Sequence, residues 1–215
     1  MPDRPDRTRT AVLRRPFDLG EHFPIFADDP EGVREWFAGY RATNMRLFTY
    51  PRPVIAAVNG HTFAGGLVTA GVCDKRIAAA GDFRFSLNEV LIGIPMPAVY
   101  VRLLGYAWGE QVSARLSLFG ETFSTQQALD LGVLNEVVPA DQLLAHAVAA
   151  ADSIPEDCIE QYAFTKRAAQ ASALRDITDL SDPLDRELGH WFTTDAARHA
   201  HRRYWQQLKG TPAPW

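Results

Sequence analysis

Pro53-Val54-Ile55-Ala56-Ala57-Val58-Asn59-Gly60-His61-Thr62-Phe63-Ala64-Gly65-Gly66-Leu67-Val68 is the stretch on which the reading of this chain turns. The apolar run Val54 to Val58 has the length and residue types of a buried strand. Asn59-Gly60 ends it with turn chemistry. Ala64-Gly65-Gly66 then opens an apolar segment of helical length, Leu67 to Cys73. A helix that begins at a glycine pair presents backbone N–H groups with no Cβ in front of them. Such an end suits an anion or a developing oxyanion.

Further on lies Glu89, bracketed by Phe85, Leu87, Val90, Leu91 and Ile94. A carboxylate in apolar surroundings has a raised pKa, which suits it to proton transfer near neutrality. The same stretch thus offers an oxyanion site and an acid/base. Plainer readings stand beside these: a glycine pair also permits tight packing, and a lone glutamate is commonly a solvated surface residue.

The motifs extend well beyond this segment. Pro53 to Gly60 and Ala64-Gly65-Gly66 are followed by Cys73-Asp74, Arg76-Ile77-Ala78-Ala79, Asn88-Glu89-Val90 and Ile92-Gly93-Ile94. Later come Gly120-Glu121-Thr122-Phe123 and Ala128 to Pro139. In this order the blocks resemble the crotonase (enoyl-CoA hydratase/isomerase) superfamily, roughly from Phe17 to Arg203. The resemblance implies an α/β fold, a crotonase-like ββα spiral core with an α-helical C-terminal region, assembled as homotrimers or hexamers. It divides the chain into a disordered or divergent start over 1–16, a spiral core over 17–140 and a helical region over 141–215. The last would serve trimerisation and cover the active site.

The resemblance also implies roles for single residues. Crotonases bind an acyl-CoA thioester and polarise its carbonyl with two backbone N–H groups. Here these would be Gly65 and, in the Phe17-Asp18-Leu19-Gly20-Glu21-His22-Phe23 loop, Glu21. Hydratases of the family hold a water between two glutamates. One position matches Glu89; the other is Val68, which can neither hold nor deprotonate water. Leu87-Asn88-Glu89 with Ala64-Gly65-Gly66-Leu67-Val68 is most similar to the single-glutamate Δ3,Δ2-enoyl-CoA isomerases. That similarity implies double-bond isomerisation by Glu89, with Val68 and Leu91 lining the acyl pocket. Lys166 matches a helix position where the family often carries a lysine near the coenzyme A nucleotide, and His22 is a further candidate for coenzyme A. A solvated helix face is the plain reading of Lys166. His22 and His61 flank the expected site loops, where a histidine is commonly structural. No cofactor is expected, because coenzyme A is part of the substrate. Other readings are a non-catalytic acyl-CoA binder or oligomer subunit, and a different single-glutamate reaction of the family. Family members carry a longer stretch ahead of the Phe17 loop, so the start is expected to be divergent or truncated.

Composition narrows the partners. The chain is 47% hydrophobic and 22% charged, ordinary for a globular core. Its 22 basic and 26 acidic residues give a net charge of −4, which argues against nucleic acid or an anionic membrane as partner. Two cysteines, Cys73 and Cys158, suggest reduced thiols and neither a disulfide framework nor a metal site. No membrane-length apolar run or signal peptide is evident, and a cytoplasmic location is expected. No Gly-x-Ser-x-Gly nucleophile elbow occurs.

Around the motifs, Asp28-Asp29-Pro30-Glu31 reads as a helix start. Val33, Trp36, Phe37, Tyr40, Leu47 and Phe48 follow at helical spacing as core residues. Lys75 to Ala80 and the alternation Phe83, Phe85, Leu87 read as strands. Ser124 reads as a helix cap, and Ser181-Asp182-Pro183 as a break between helices. Met1 to Arg15, polar and arginine-rich, reads as a loose start.

Overall fold

One parallel strand pair brings the glycine pair and Glu89 to the same end of a small sheet. The computed structural model describes residues 10–12 and 29–215. The larger sheet holds β1 (Thr10–Val12), β2 (Ile55–Val58), β4 (Lys75–Ala79) and β7 (Glu136–Val138), all parallel in the order β1-β2-β4-β7. The smaller sheet holds β3 (Thr62–Phe63), β5 (Arg84–Ser86) and β6 (Phe123–Ser124). There β3 runs parallel to β5, with Phe63 opposite Ser86, while β6 is antiparallel to β5. Phe85 and Phe123 stack across that antiparallel pair at 5.9 Å, as directly opposed aromatics do.

Helices wrap both sheets. α1 (Pro30–Phe48) begins where Asp29 accepts the Gly32 N–H at 2.9 Å, the cap expected from the acids around Pro30. α2 (Gly65–Gly71) follows β3 directly. α3 (Ala98–Trp108) and α4 (Glu110–Phe119) are separated at Gly109, whose φ of 90° interrupts the helix. α5 (Thr125–Asp130) carries a full capping box between Ser124 and Gln127. Beyond β7 every described element is helical: α6 (Leu143–Ala151), α7 (Ile159–Asp176), α8 (Asp182–Asp185), α9 (Leu188–Phe192) and α10 (Asp195–Lys209), with 3₁₀ and π turns between. The chain is therefore α/β with a helical C-terminal region, as its motifs imply.

The main core fills the space between the sheets and α1 to α4, around Phe85, Leu87, Tyr100, Leu103 and Leu104. A second cluster, Ile55, Ile77, Val138 and Leu143, seals α6 to the outer face of the large sheet. A third joins Val33, Ile92, Ile94 and Phe192 under α9 and α10. The motif arginine, Arg76, is buried and serves this frame. Its guanidinium donates to the carbonyls of Val133 at 2.7 Å and Cys73 at 2.8 Å, tying the end of α2 to the loop before β7.

Two expectations fail. Thr10–Val12 is not loose but pairs with Ile55–Ala57. A short β-branched run suits an edge strand, and its arginine-rich flanks masked it. Ser181-Asp182-Pro183 is not a break either. A π turn, Ile177–Ser181, passes α7 into α8, because Pro183 falls in the first turn of α8, where its missing N–H costs no hydrogen bond. No described helix is long and apolar enough to cross a membrane.

Candidate active site

The site is built by strand pairing. β3 ends at Phe63 and turns into α2; β5 ends at Ser86 and leads to Leu87-Asn88-Glu89. Because the two strands are parallel and in register, both continuations leave the sheet at the same edge. The Ala64 N–H donates to the Ser86 carbonyl at 2.8 Å and locks the two exits together.

Ala64 decides which way the glycine amides point. It holds φ 48°, ψ −128°, and is the single non-glycine positive-φ residue among those described. A side-chain-bearing residue there carries strain on the order of 1–3 kcal/mol. Its carbonyl turns into α2 and accepts from Leu67 N–H at 2.8 Å and Val68 N–H at 3.0 Å. In a trans peptide the N–H points opposite to the C=O. The Gly65 N–H therefore points out of the helix, and it meets no acceptor among the described residues. Free amide donors of this kind are what stabilisation of a thioester oxyanion requires.

Glu89 is 6% exposed. It sits at the start of a 3₁₀ turn, Val90–Ile92, and its carbonyl accepts from Ile94 N–H at 2.9 Å. Its Oε2 has no hydrogen-bond partner among the described residues. Burial pushes its carboxyl up to about 7, and a bond from its own backbone N–H offsets only part of that. Among the described residues it is the single buried carboxylate. Val68, 1% exposed, lies in the apolar core on the first turn of α2.

α10 roofs this turn. Asn88 Nδ2 donates to Tyr204 Oη at 3.2 Å, and Arg203 donates to the Leu91 carbonyl at 3.2 Å. Gly93, at φ 83°, lets α10 approach closely: a Cβ there would lie 2.7 Å from the Ala200 Cβ. On the other side Tyr40 reaches in from α1. Its hydroxyl donates to the Gly65 carbonyl at 2.6 Å and lies 3.2 Å from Thr69 Oγ1. A cleft of about 190 Å³ opens beyond Tyr100, between α1 and α9, with Arg34, Arg41 and Phe37 on its wall.

Glu89, Gly65 and Val68 are thus brought to neighbouring positions on two joined exits. Leu91 is not: it is 51% exposed and lies over Gly120, because the 3₁₀ turn rotates it outward while Ile92 turns in. Val90 is exposed too, so the apolar bracket of Glu89 is Phe85, Leu87 and Ile94. Lys166 is neither a solvated helix residue nor a free cation for a nucleotide. It is 7% exposed and its Nζ bonds Asp74 Oδ2 at 2.7 Å. His61 is exposed and its Nδ1 accepts the Arg84 N–H at 3.0 Å, a strand-anchoring contact. Glu21, His22 and the rest of the Phe17 loop lie outside the described residues. Sequence reasoning missed Tyr40, read there as one more core aromatic, and Tyr204. A hydroxyl on an otherwise apolar helical face was the available signal for Tyr40.

The model of the enoyl-CoA hydratase/isomerase family matches residues 34–210. This chain belongs to that family. Mitochondrial enoyl-CoA delta isomerase 1 of Mus musculus is 32% identical over 124 residues, covering 57% of this chain and 43% of that protein. The 2,3-dehydroadipyl-CoA hydratase of Escherichia coli K12 is 34% identical over 103 residues, covering 48% of this chain and 40% of that protein. The chain thus spans less than half the length of these relatives. Human mitochondrial delta3-delta2-enoyl-CoA isomerase superposes with a TM-score of 0.79 at 22% identity, over 87% of this chain and 74% of that one. At that identity the likeness speaks for the fold. Both isomerases and hydratases stand among the relatives.

Proposed function

We propose that this chain isomerises the double bond of an enoyl-CoA, with Glu89 as the single proton carrier. One observation carries the reading: a buried carboxyl with an unsatisfied oxygen follows the strand that pairs with the one leading into the glycine turn and its free amide, and apolar Val68 is buried at the position that the family resemblance matches to a hydratase's second carboxylate. Ionised Glu89 takes a proton from C2 of a 3-enoyl-CoA. The electron pair moves into the thioester, whose oxygen becomes an anion held by the Gly65 N–H and by the amide expected at Glu21. The same carboxyl returns the proton at C4, the double bond settles between C2 and C3, and Glu89 is regenerated. A pKa near 7 suits a group that must both take and give a proton at neutral pH. No oxidant, reductant or cofactor enters the balance. Hydration needs a second polar group to hold and activate water, and the apolar Val68 opposes it.

The test is a spectrophotometric assay on 3-enoyl-CoA beside hydration of 2-enoyl-CoA. Isomerisation that disappears in Glu89→Gln, with hydration weak in the parent, supports the reading. Efficient hydration in the parent, or turnover that survives in Glu89→Gln, overturns it. Exposed Leu91, Leu118 and Phe119 form an apolar surface around Gly120, and we assign it to contact with further copies of the chain in a homotrimer or hexamer. A monomeric mass by light scattering would contradict that assignment.

A further inference from the structure

The turn that presents the Gly65 amide is under strain, and something must hold it. Ala64 occupies a backbone region that a side chain disfavours. A half-turn of the Ala64–Gly65 peptide would move Ala64 into the ordinary left-handed basin and relieve it. The same half-turn would swing the Gly65 N–H away from the site. Two glycines follow, with no side chains of their own to resist the motion. The peptide carrying that amide is fixed on its near side by Ala64 N–H to Ser86 and by Leu67 and Val68 N–H to the Ala64 carbonyl. On its far side the next carbonyl, that of Gly65, is held from outside α2 by a residue 25 positions earlier in the chain.

We propose that Tyr40 is a positioning residue for the oxyanion donor, clamping the Gly65–Gly66 peptide so that the Gly65 N–H keeps its aim on the thioester oxygen. This rests on the isomerase reading of the same site. The hydroxyl donates to Gly65 O at 2.6 Å, with Thr69 Oγ1 at 3.2 Å as its second partner. The ring is itself immobilised: it stacks on Trp36 at 5.3 Å with 15° between planes and meets the Tyr100 edge at 5.3 Å. Those two aromatics explain why a phenol on a helix can act as a fixed strut. The clamp also lies within electrostatic reach of the base. Burial is the main cause that pushes the Tyr40 hydroxyl well above its ordinary range, and the charge of Glu89 adds to it. Tyr40 therefore stays protonated and remains a donor throughout turnover. A donor that is pre-aimed costs no reorganisation when charge develops, so its loss falls on the transition state more than on ground-state binding.

Tyr40→Phe tests this, because it keeps the ring and removes one oxygen. The expected result is a fall in kcat of about tenfold with KM within about twofold. A melting temperature within about 2 °C of the parent is expected beside it. A second readout is spectroscopic. Acetoacetyl-CoA bound to the parent should show enolate absorption, and the enolate fraction should drop in Tyr40→Phe. Thr69→Val supplies a milder variant: it should lower kcat in the same direction but less, and add little on top of Tyr40→Phe. Glu89→Gln, assayed alongside, separates the two ideas. An active Glu89→Gln overturns the base assignment and this inference with it. An inactive Glu89→Gln with Tyr40→Phe at parental kcat and enolate fraction overturns the Tyr40 role alone. A loss in Tyr40→Phe that appears equally in KM and in the melting temperature also overturns it, as mere packing.

Discussion

Glu89 and Asp74 are carboxylates drawn out of bulk water within one core, and their surroundings treat them in opposite ways. Asp74, partly buried at the start of β4, is given every partner. Its Oδ2 accepts from Val54 N–H at 2.7 Å and from Lys166 Nζ at 2.7 Å. Lys166 comes from α7, so the pair fastens the helical C-terminal region to the head of the central strands. Glu89 is buried more deeply and its Oε2 is given nothing. A buried carboxylate with an unsatisfied oxygen is a standing cost. Folds keep such groups where chemistry uses them. The contrast separates the residue that holds the chain together from the one that acts.

The deepest cut into that contrast is Glu89→Gln. Isomerase turnover should fall by roughly 10²–10⁴-fold, the usual worth of a positioned acid/base. Stability should move the other way at high pH. The folded-state pKa of Glu89, about 7, lies above its ordinary value of 4.5. The folded state therefore binds the proton more tightly, and stability is highest below about pH 4.5. It falls as pH rises through the window from 4.5 to 7, by about 3 kcal/mol in all. Glu89→Gln should erase this loss, so its melting temperature should exceed the parent's at pH 8 and match it near pH 4.5. The parental kcat/KM should rise with pH through about 7, because only the ionised carboxyl takes a proton. A limb near 4.5 would show Glu89 to be hydrated in solution.

Asp74→Ala should give the mirror image: a stability loss with activity per folded molecule kept within about twofold. Removing one member of a buried pair strands the other, at a cost of about 3 kcal/mol, the lower end of the usual range because the Asp74 side chain is partly exposed. Asp74→Ala combined with Lys166→Met should recover, in a denaturant melt, the part of that loss due to the stranded lysine, while the Val54 N–H stays without its acceptor. If Lys166→Met instead raises KM for coenzyme A esters with stability unchanged, the lysine serves the substrate and the contrast is wrong.

How much of this was legible beforehand follows from what each signal depends on. The β2 strand, the glycine turn and the Glu89 segment are local: apolar runs, a Gly-Gly pair and one carboxylate in a greasy window mark them in the sequence itself. Lys166 was misread because helical spacing cannot say that Asp74, 92 positions away, waits beside it. Leu91 was misplaced because one 3₁₀ turn rotates neighbouring side chains to opposite sides, and Ile92 took the inward place. Tyr40 looked like core since its ring is core; only its hydroxyl, pointed at a carbonyl in another element, carries the functional contact. Long-range polar pairing is the information that spacing lacks.

The gentlest probe is Tyr204→Phe. Asn88 is buried, and its Nδ2 donates to Tyr204 Oη while its Oδ1 has no partner among the described residues. Removing that hydroxyl leaves a second polar atom of Asn88 unsatisfied, worth about 1 kcal/mol. Asn88 is bonded to Glu89 through the backbone, so the loss loosens the base without touching it. A two- to fivefold drop in kcat with KM unchanged is expected at a net cost of this order. The roof itself should stay in place, since Gly93 still seats Ala200 and Arg203 still holds the Leu91 carbonyl. If Tyr204→Phe falls as far as Glu89→Gln, Tyr204 shares the proton transfer, and a site with one acid/base becomes a site with two.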